Sequence, residues 1–212
     1  MVDDLKSSYN SRLMKNSWIT QSEKIILDSP FMKILERNST SSETGKAHRF
    51  FLFRSRNWAN IIPVTSEGKV VLIRQYRVGV DRHTLEVPGG VQDEADQDPT
   101  QSALRELAEE TGYTPLPGAR CISLGGSLPN PAIQDNTCFN FIVGPVQKTQ
   151  TQNLDPGEMI ETLEVAVPEL CAMIARGEID HALMLMGFFK LLMRAPESAT
   201  LLGRELEAFR TV

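Results

Sequence analysis

The sequence predicts an α/β fold, a mixed β-sheet covered by helices, preceded by a small β-rich extension. Strand-like and helix-like segments interleave irregularly from residue 48 onward, which favours a mixed sheet over an all-helical bundle. One segment, Pro99 to Thr111, carries both the start and the stop signals of a helix. Residues 1–46 are polar and hold only two short apolar runs. A length of 212 residues fits one domain plus such an extension. The expected division is therefore 1–46 for the extension and 47–212 for the main domain.

In chain order, Lys24–Leu27 and Met32–Arg37 are the strand candidates of the extension, and NSTSSETGK at 38–46 reads as a hairpin turn or linker. His48–Arg56, Ala59–Thr65 and Val70–Tyr76 are rich in β-branched and aromatic residues and predict strands, the last two joined by the turn SEGK. Leu85–Val87 is a short strand running into Pro-Gly-Gly. Cys121–Leu124, Thr137–Val143 and Ile160–Val167 complete the strands. Helices are expected at Pro168–Ala175, Asp180–Met193 and about Ser198–Phe209.

Composition narrows the function classes. The 22 basic residues against 27 acidic ones give a net charge of −5, which argues against a nucleic-acid binder, whose footprint is basic. Cys121, Cys138 and Cys171 are odd in number and form no Cys-x-x-Cys pair, so neither a disulfide framework nor a zinc site is expected. The N-terminal stretch lacks the apolar core of a secretory signal, and the most apolar run, Ala182–Phe189, is too short to span a bilayer. These features predict a cytoplasmic protein with no membrane partner.

The helix at 99–111 is the most informative segment. Asp98 is placed to cap it, Pro99 suits its first position, and Gly112 ends it. Ala103, Leu104, Leu107, Ala108 and Thr111 share one face, which would pack on the sheet. Arg105, Glu106, Glu109 and Glu110 share the other. Like charges at Glu106 and Glu110 cost about 0.2–0.5 kcal/mol, and anions in a last turn oppose the helix dipole by about 0.3–1 kcal/mol each. Either the face is simply solvated, with Arg105 relieving Glu109, or a divalent cation supplies the missing positive charge. Carboxylates are hard oxygen ligands suited to Mg²⁺ or Mn²⁺.

The surrounding run GGVQDEADQDPTQSALRELAEETGY, following Glu86-Val87-Pro88, resembles the Nudix box, Gx5Ex7REUxEExGU with U a bulky aliphatic residue. RELAEETGY, Arg105 to Tyr113, matches nearly position for position, with only the aromatic Tyr113 departing. The first half holds one residue more than the pattern allows. Counting forward from Gly90 puts Asp96 at the first Glu position, and counting back from Arg105 puts Gln97 there. The resemblance implies a Nudix-type α-β-α sandwich and a Mg²⁺-dependent (or Mn²⁺-dependent) hydrolase of diphosphate linkages. It implies Glu106, Glu110 and the Gly89 carbonyl as metal ligands, Glu109 as a further ligand or as the holder of Arg105, and Arg105 as organiser of the glutamates.

Outside the box, VVLIRQYR (70–77), SLPNPAIQDN (127–136) and GEIDHALMLMGFFKLL (177–192) resemble the ADP-ribose and nucleoside-diphosphate-sugar pyrophosphatase branch. The implied substrate is a nucleotide sugar such as ADP-ribose or GDP-mannose, cleaved to nucleoside monophosphate and sugar phosphate. Arg54, Arg56, Arg74 and Arg77 lie beside the box as candidate diphosphate grips or surface charges, with Arg77 the best placed. Trp58 is a base stacker or a core residue. Glu86 ends the strand before the box and is a candidate substrate contact, as are the amides of Asn130, Gln134 and Asn136. Glu158, with Glu161 as alternative, matches the loop glutamate of related enzymes that serves as metal-bound group or general base. The branch also implies a homodimer formed through the N-terminal extension. Other Nudix substrates, namely dinucleoside polyphosphates, RNA 5′ ends and coenzyme A, and a non-catalytic nucleotide-sugar sensor are the alternatives.

Overall fold

The computed structural model describes residues 17–30, 32–96 and 98–194, so the helix expected at Ser198–Phe209 lies outside the described residues. The chain divides into two compact units. The first contains the antiparallel sheet β1 (Trp18–Asp28), β2 (Met32–Ser41) and β3 (Ala47–Ser55), in that order. β1 and β2 are longer than their apolar runs because pairing, rather than patterning, carries the polar ends. Cross-strand partners such as Glu23 and Arg37, 2.7 Å apart, stabilise such ends. β3 pairs along its whole length with β2, so the expected boundary at 46/47 falls inside a hairpin and the unit runs to Ser55. Asn130–Asp135 folds with this unit, and the Phe53 amide donates to the Ile133 carbonyl at 2.7 Å.

The second unit is built on a seven-stranded sheet. Its strands are β4 (Trp58–Thr65), β5 (Lys69–Arg77), β6 (Arg82–Glu86), β7 (Gly89–Val91), β8 (Tyr113–Ser127), β9 (Cys138–Lys148) and β10 (Ile160–Ala166). The main path runs β10-β5-β4-β9-β8, with β6 on β5 and β7 on β4. β4 and β9 are parallel while the other pairs are antiparallel, which makes the sheet mixed. β4 and β5 are buried on both faces, so they read as continuous apolar runs.

Alternation along the strands sends side chains to two cores. Ala59, Ile61, Val71 and Phe141 pack with Ala103 and Leu107 of α1 (Pro99–Thr111). Ile62, Val64, Leu72 and Ile142 pack with α2 (Val167–Ala175) and α3 (Ala182–Met193), through Leu170, Phe188 and Leu191. The unit is thus the expected α-β-α sandwich. Among the described residues no helix is long and apolar enough to cross a membrane.

α1 begins where the sequence places it. Asp98 accepts from the Thr100 amide at 2.7 Å and the Gln101 amide at 3.3 Å. Gly112, at φ 74°, takes the left-handed conformation that ends the helix. Asp98→Ala is expected to speed amide hydrogen exchange at Thr100 and Gln101 and to lower the melting temperature. Unchanged exchange at both amides would show that the cap does not hold the first turn.

Candidate active site

α1 carries Arg105, Glu106, Glu109 and Glu110 to the Pro88-Gly89-Gly90 segment that opens β7. Glu110 is 3 % exposed, and its Oε2 accepts the Gly89 amide at 2.8 Å. Glu106 lies against Gly90 so closely that a Cβ there would come within 2.4 Å of its Oε1. A side chain at Gly90 would displace the Glu106 carboxylate, whereas one at Gly89 would meet the Ala59 backbone carbonyl at 2.5 Å.

Arg105 organises this face. Its Nη1 sits 3.0 Å from Glu106 and 2.8 Å from Glu109, and its Nη2 donates to the Val91 carbonyl at 3.3 Å. Nη2 is also 3.4 Å from carboxylate oxygens of Asp93 and Asp96. Asp96 in turn accepts from the Ser102 hydroxyl at 2.7 Å and the Asp93 amide at 3.1 Å. Asp96, the candidate from the forward count of the lengthened loop, thus brings its carboxylate to the arginine. Gln97 lies outside the described residues.

The carboxylates are held at an electrostatic cost. Burial, added to the charges of Glu109 and Glu158, pushes Glu106 up to about 7 despite Arg105. Burial, with Glu106 and Glu158 adding to it, raises Glu110 well above the usual carboxylate range, against the Gly89 amide and Arg77. A cluster that ionises this reluctantly and offers only oxygen donors fits a divalent cation, with Glu106, Glu110 and the Gly89 carbonyl as the groups to hold it. Among the described residues, no group of at least three His, Cys, Asp or Glu side chains is already gathered as a metal cage. Arg105 and the Gly89 amide occupy the carboxylates instead.

Gly89 and Gly90 also line a cavity of about 540 Å³, within the range for small-molecule sites. Trp58, Asn60, Arg77 and Glu86 line it too. Glu86 does not offer itself to substrate as expected. It is 1 % exposed, and its oxygens accept from Arg77 Nε and Nη2 at 2.7 and 2.6 Å and from the Thr84 hydroxyl at 2.6 Å. Burial opposes its ionisation, but these partners outweigh it and hold the carboxyl below its ordinary range. Glu86 thereby fixes Arg77, whose side chain remains 42 % exposed.

The remaining candidates are scattered. Arg54, Asn130 and Gln134 fold with the first unit, where Arg54 pairs with Asp135 at 2.8 Å and Glu23 at 3.1 Å. Asn136 is buried at the start of β9 and donates to the Arg56 carbonyl at 3.3 Å, a backbone-bracing position rather than a cavity wall. Arg56 pairs with Asp93, and Arg74 with Glu161, the alternative to Glu158, which lies in β10 rather than in the loop. Glu158 lies in the loop before β10, where it accepts the Asp155 amide at 3.0 Å, and its charge is felt at both Glu106 and Glu110. Sequence reasoning missed Arg82, Asp180 and His181, which line the cavity from β6 and from the start of α3.

Comparisons with known proteins agree with the box and the fold. The family model of the NUDIX domain matches residues 54–187, more than half of the chain. An ADP-ribose pyrophosphatase of Bacillus subtilis (strain 168) is 27 % identical over 139 residues, covering 65 % of this chain and 73 % of that protein. A methanol dehydrogenase activator of Bacillus methanolicus is 28 % identical over 136 residues, covering 64 % and 71 %. Among solved structures, an ADP compounds hydrolase superposes with a TM-score of 0.74 at 17 % identity, over 89 % of this chain and 97 % of that one, and shares the fold. Members of this family generally use a divalent metal. With the glutamate-bearing helix, the α-β-α sandwich and the family match in agreement, the chain belongs to the Nudix family, as a hydrolase acting on pyrophosphate bonds.

Proposed function

We propose that the protein hydrolyses the diphosphate linkage of nucleoside diphosphate sugars, such as ADP-ribose or GDP-mannose, with Mg²⁺ as cofactor and Mn²⁺ as substitute. The observation that carries this is the pair Glu106, part-buried, and Glu110, buried, set against Gly89 and Gly90, which line a cavity of about 540 Å³. A bound cation there would neutralise diphosphate charge and acidify a coordinated water. The protein's own groups do the rest. Arg77, fixed by Glu86, presents its open edge to the diphosphate. Glu158 accepts the proton of the attacking water. The water oxygen bonds one phosphorus, the bridging P–O bond breaks, and the bridging oxygen leaves with the other phosphate. The products are a nucleoside monophosphate and a sugar phosphate. Trp58 provides a face for the base.

The proposal includes a homodimer formed through the first unit, where Ile19, Ile25, Ile26 and Leu27 of β1 are all exposed. It places the protein in the cytoplasm, in keeping with its free cysteines. The test is turnover against ADP-ribose, GDP-mannose, UDP-glucose, a dinucleoside polyphosphate and coenzyme A, with and without Mg²⁺, alongside a solution mass. Nucleoside monophosphate released from a nucleotide sugar, only with metal and by a dimer, is the expected result. Metal-dependent binding without turnover would replace the hydrolase by a sensor, and a fully active monomer would remove the dimer.

A further inference from the structure

Three side chains on the cavity wall have no part in the chemistry above. Arg82, in β6, and Asp180 and His181, at the entry to α3, all line the same cavity as Gly89 and Gly90. Arg82 Nη2 donates to Asp180 Oδ2, which fixes the carboxylate in place, and the hydrogen bonds found among the described residues leave Oδ1 open. His181 caps α3, its Nδ1 accepting the Leu183 amide at 3.2 Å. A neutral imidazole that accepts at Nδ1 carries its proton on Nε2, so the free edge of the ring is a donor. The wall therefore sets an anionic acceptor beside a neutral donor, one residue apart in sequence.

That pairing discriminates between ligand parts. A phosphate would meet the charge of Asp180 and be repelled. An apolar group would strip water from the carboxylate and return no hydrogen bond. A pair of neighbouring hydroxyls fits, since each O–H can donate to the carboxylate while a hydroxyl oxygen accepts from His181 Nε2. Trp58, Val78 and Val80 line other parts of the cavity and are suited to a flat or apolar group instead.

We infer that Asp180 and His181 read the hydroxyls of the sugar half of the substrate, with Arg82 as the positioning residue that holds Asp180. This rests on the nucleotide-sugar reading above and names the residues that select the sugar. A site built to bond hydroxyls discriminates strongly against analogues that lack them.

The test compares ADP-ribose with the methyl ester of ADP, which keeps the base and the diphosphate but has no second sugar. It uses the full-length enzyme and the variants Asp180→Asn and His181→Asn. Asparagine keeps an acceptor for the Leu183 amide and so preserves the cap of α3 while removing the Nε2 donor. The wild-type enzyme should favour ADP-ribose in kcat/KM, and each variant should cut that preference by about tenfold or more, mainly through a higher KM for ADP-ribose. A preference that survives in both variants would overturn the inference and leave the hydrolase reading standing. Equal losses on both substrates would overturn it by placing the pair on the nucleoside. If the turnover panel shows GDP-mannose or UDP-glucose as the better substrate, that compound and the methyl ester of its nucleoside diphosphate take the two places. A wild-type enzyme that cleaves no nucleotide sugar of the panel would sink the nucleotide-sugar reading, and the inference with it.

Discussion

Glu110→Gln should lower hydrolysis by about a thousandfold or more, because a group that fixes a catalytic cation stabilises the transition state by several kcal/mol, and about 4 kcal/mol is that factor. The same change should alter stability in the opposite sense. The folded-state pKa values of Glu106 and Glu110 are raised, so their contribution is fully present below the unfolded carboxylate value, near 4.3, and is lost as pH rises through the folded value, about 7 for Glu106. The metal-free wild type should thus be less stable at pH 8 than at pH 5.5, by about 1–3 kcal/mol from this source. Mg²⁺ should raise the melting temperature more at pH 8 than at pH 5.5. In Glu110→Gln the metal-free protein should gain stability at pH 8 and the Mg²⁺ shift should shrink. Thermal unfolding at the two pH values, with Mg²⁺ and with EDTA, checks both signs. An equal Mg²⁺ shift in wild type and variant would contradict the assignment of Glu110.

Arg77→Met should be strongly destabilising. It leaves Glu86, 1 % exposed, as a buried carboxylate bonded only to Thr84. Removing one partner of a buried pair costs about 3–5 kcal/mol, and because Arg77 itself is 42 % exposed the expected loss is discounted to about 2–4 kcal/mol. In the wild type the depressed pKa of Glu86 contributes stability above the unfolded value, which is lost as pH falls through the folded one. In the variant Glu86 has lost its cation, so the deficit should grow as pH rises and the carboxyl is forced to ionise. The double variant Arg77→Met/Glu86→Gln should recover most of the loss, since an amide carries no charge to strand. Urea titrations of the wild type, the two single variants Arg77→Met and Glu86→Gln, and the double variant at pH 5.5 and pH 8 measure the coupling. Additive losses in the double variant would mean that the pair does not carry the effect.

The two halves of the site differ in how openly the sequence declares them. The glutamate-bearing helix was legible because its chemistry violates local rules. Anions in a last turn and like charges one turn apart call for an outside cation, while Asp98 and Gly112 fix the helix ends by short-range geometry. The first glutamate position of the box was legible only to within one residue, because a lengthened loop has no periodicity to set its frame. Glu86 was read as a substrate contact, and the fold turns its carboxylate onto Arg77 and Thr84. Nothing in the order of residues says that Arg77, from the neighbouring strand β5, takes both of its oxygens while Thr84, two residues before it on β6, bonds one. Asn136 shows the reverse case: amides in a Pro-framed loop look like ligand groups, and burial turned this one toward the Arg56 backbone. The extension's strands were underestimated for a related reason. Partnered polar strands such as WITQSEKIILD carry no alternation, and their length is decided by the neighbour. The grouping of Asp180, His181 and Arg82 is long-range by nature and became visible only in the folded chain.

The most direct test of the central claim is to locate Mn²⁺ by anomalous diffraction in crystals of the protein grown with a non-hydrolysable nucleotide sugar. The account predicts a peak roughly 2.1 Å from carboxylate oxygens of both Glu106 and Glu110, within reach of the Gly89 carbonyl, with the diphosphate on its far side. A peak bound elsewhere, or none at these carboxylates while the nucleotide sugar fills the cavity, would contradict it.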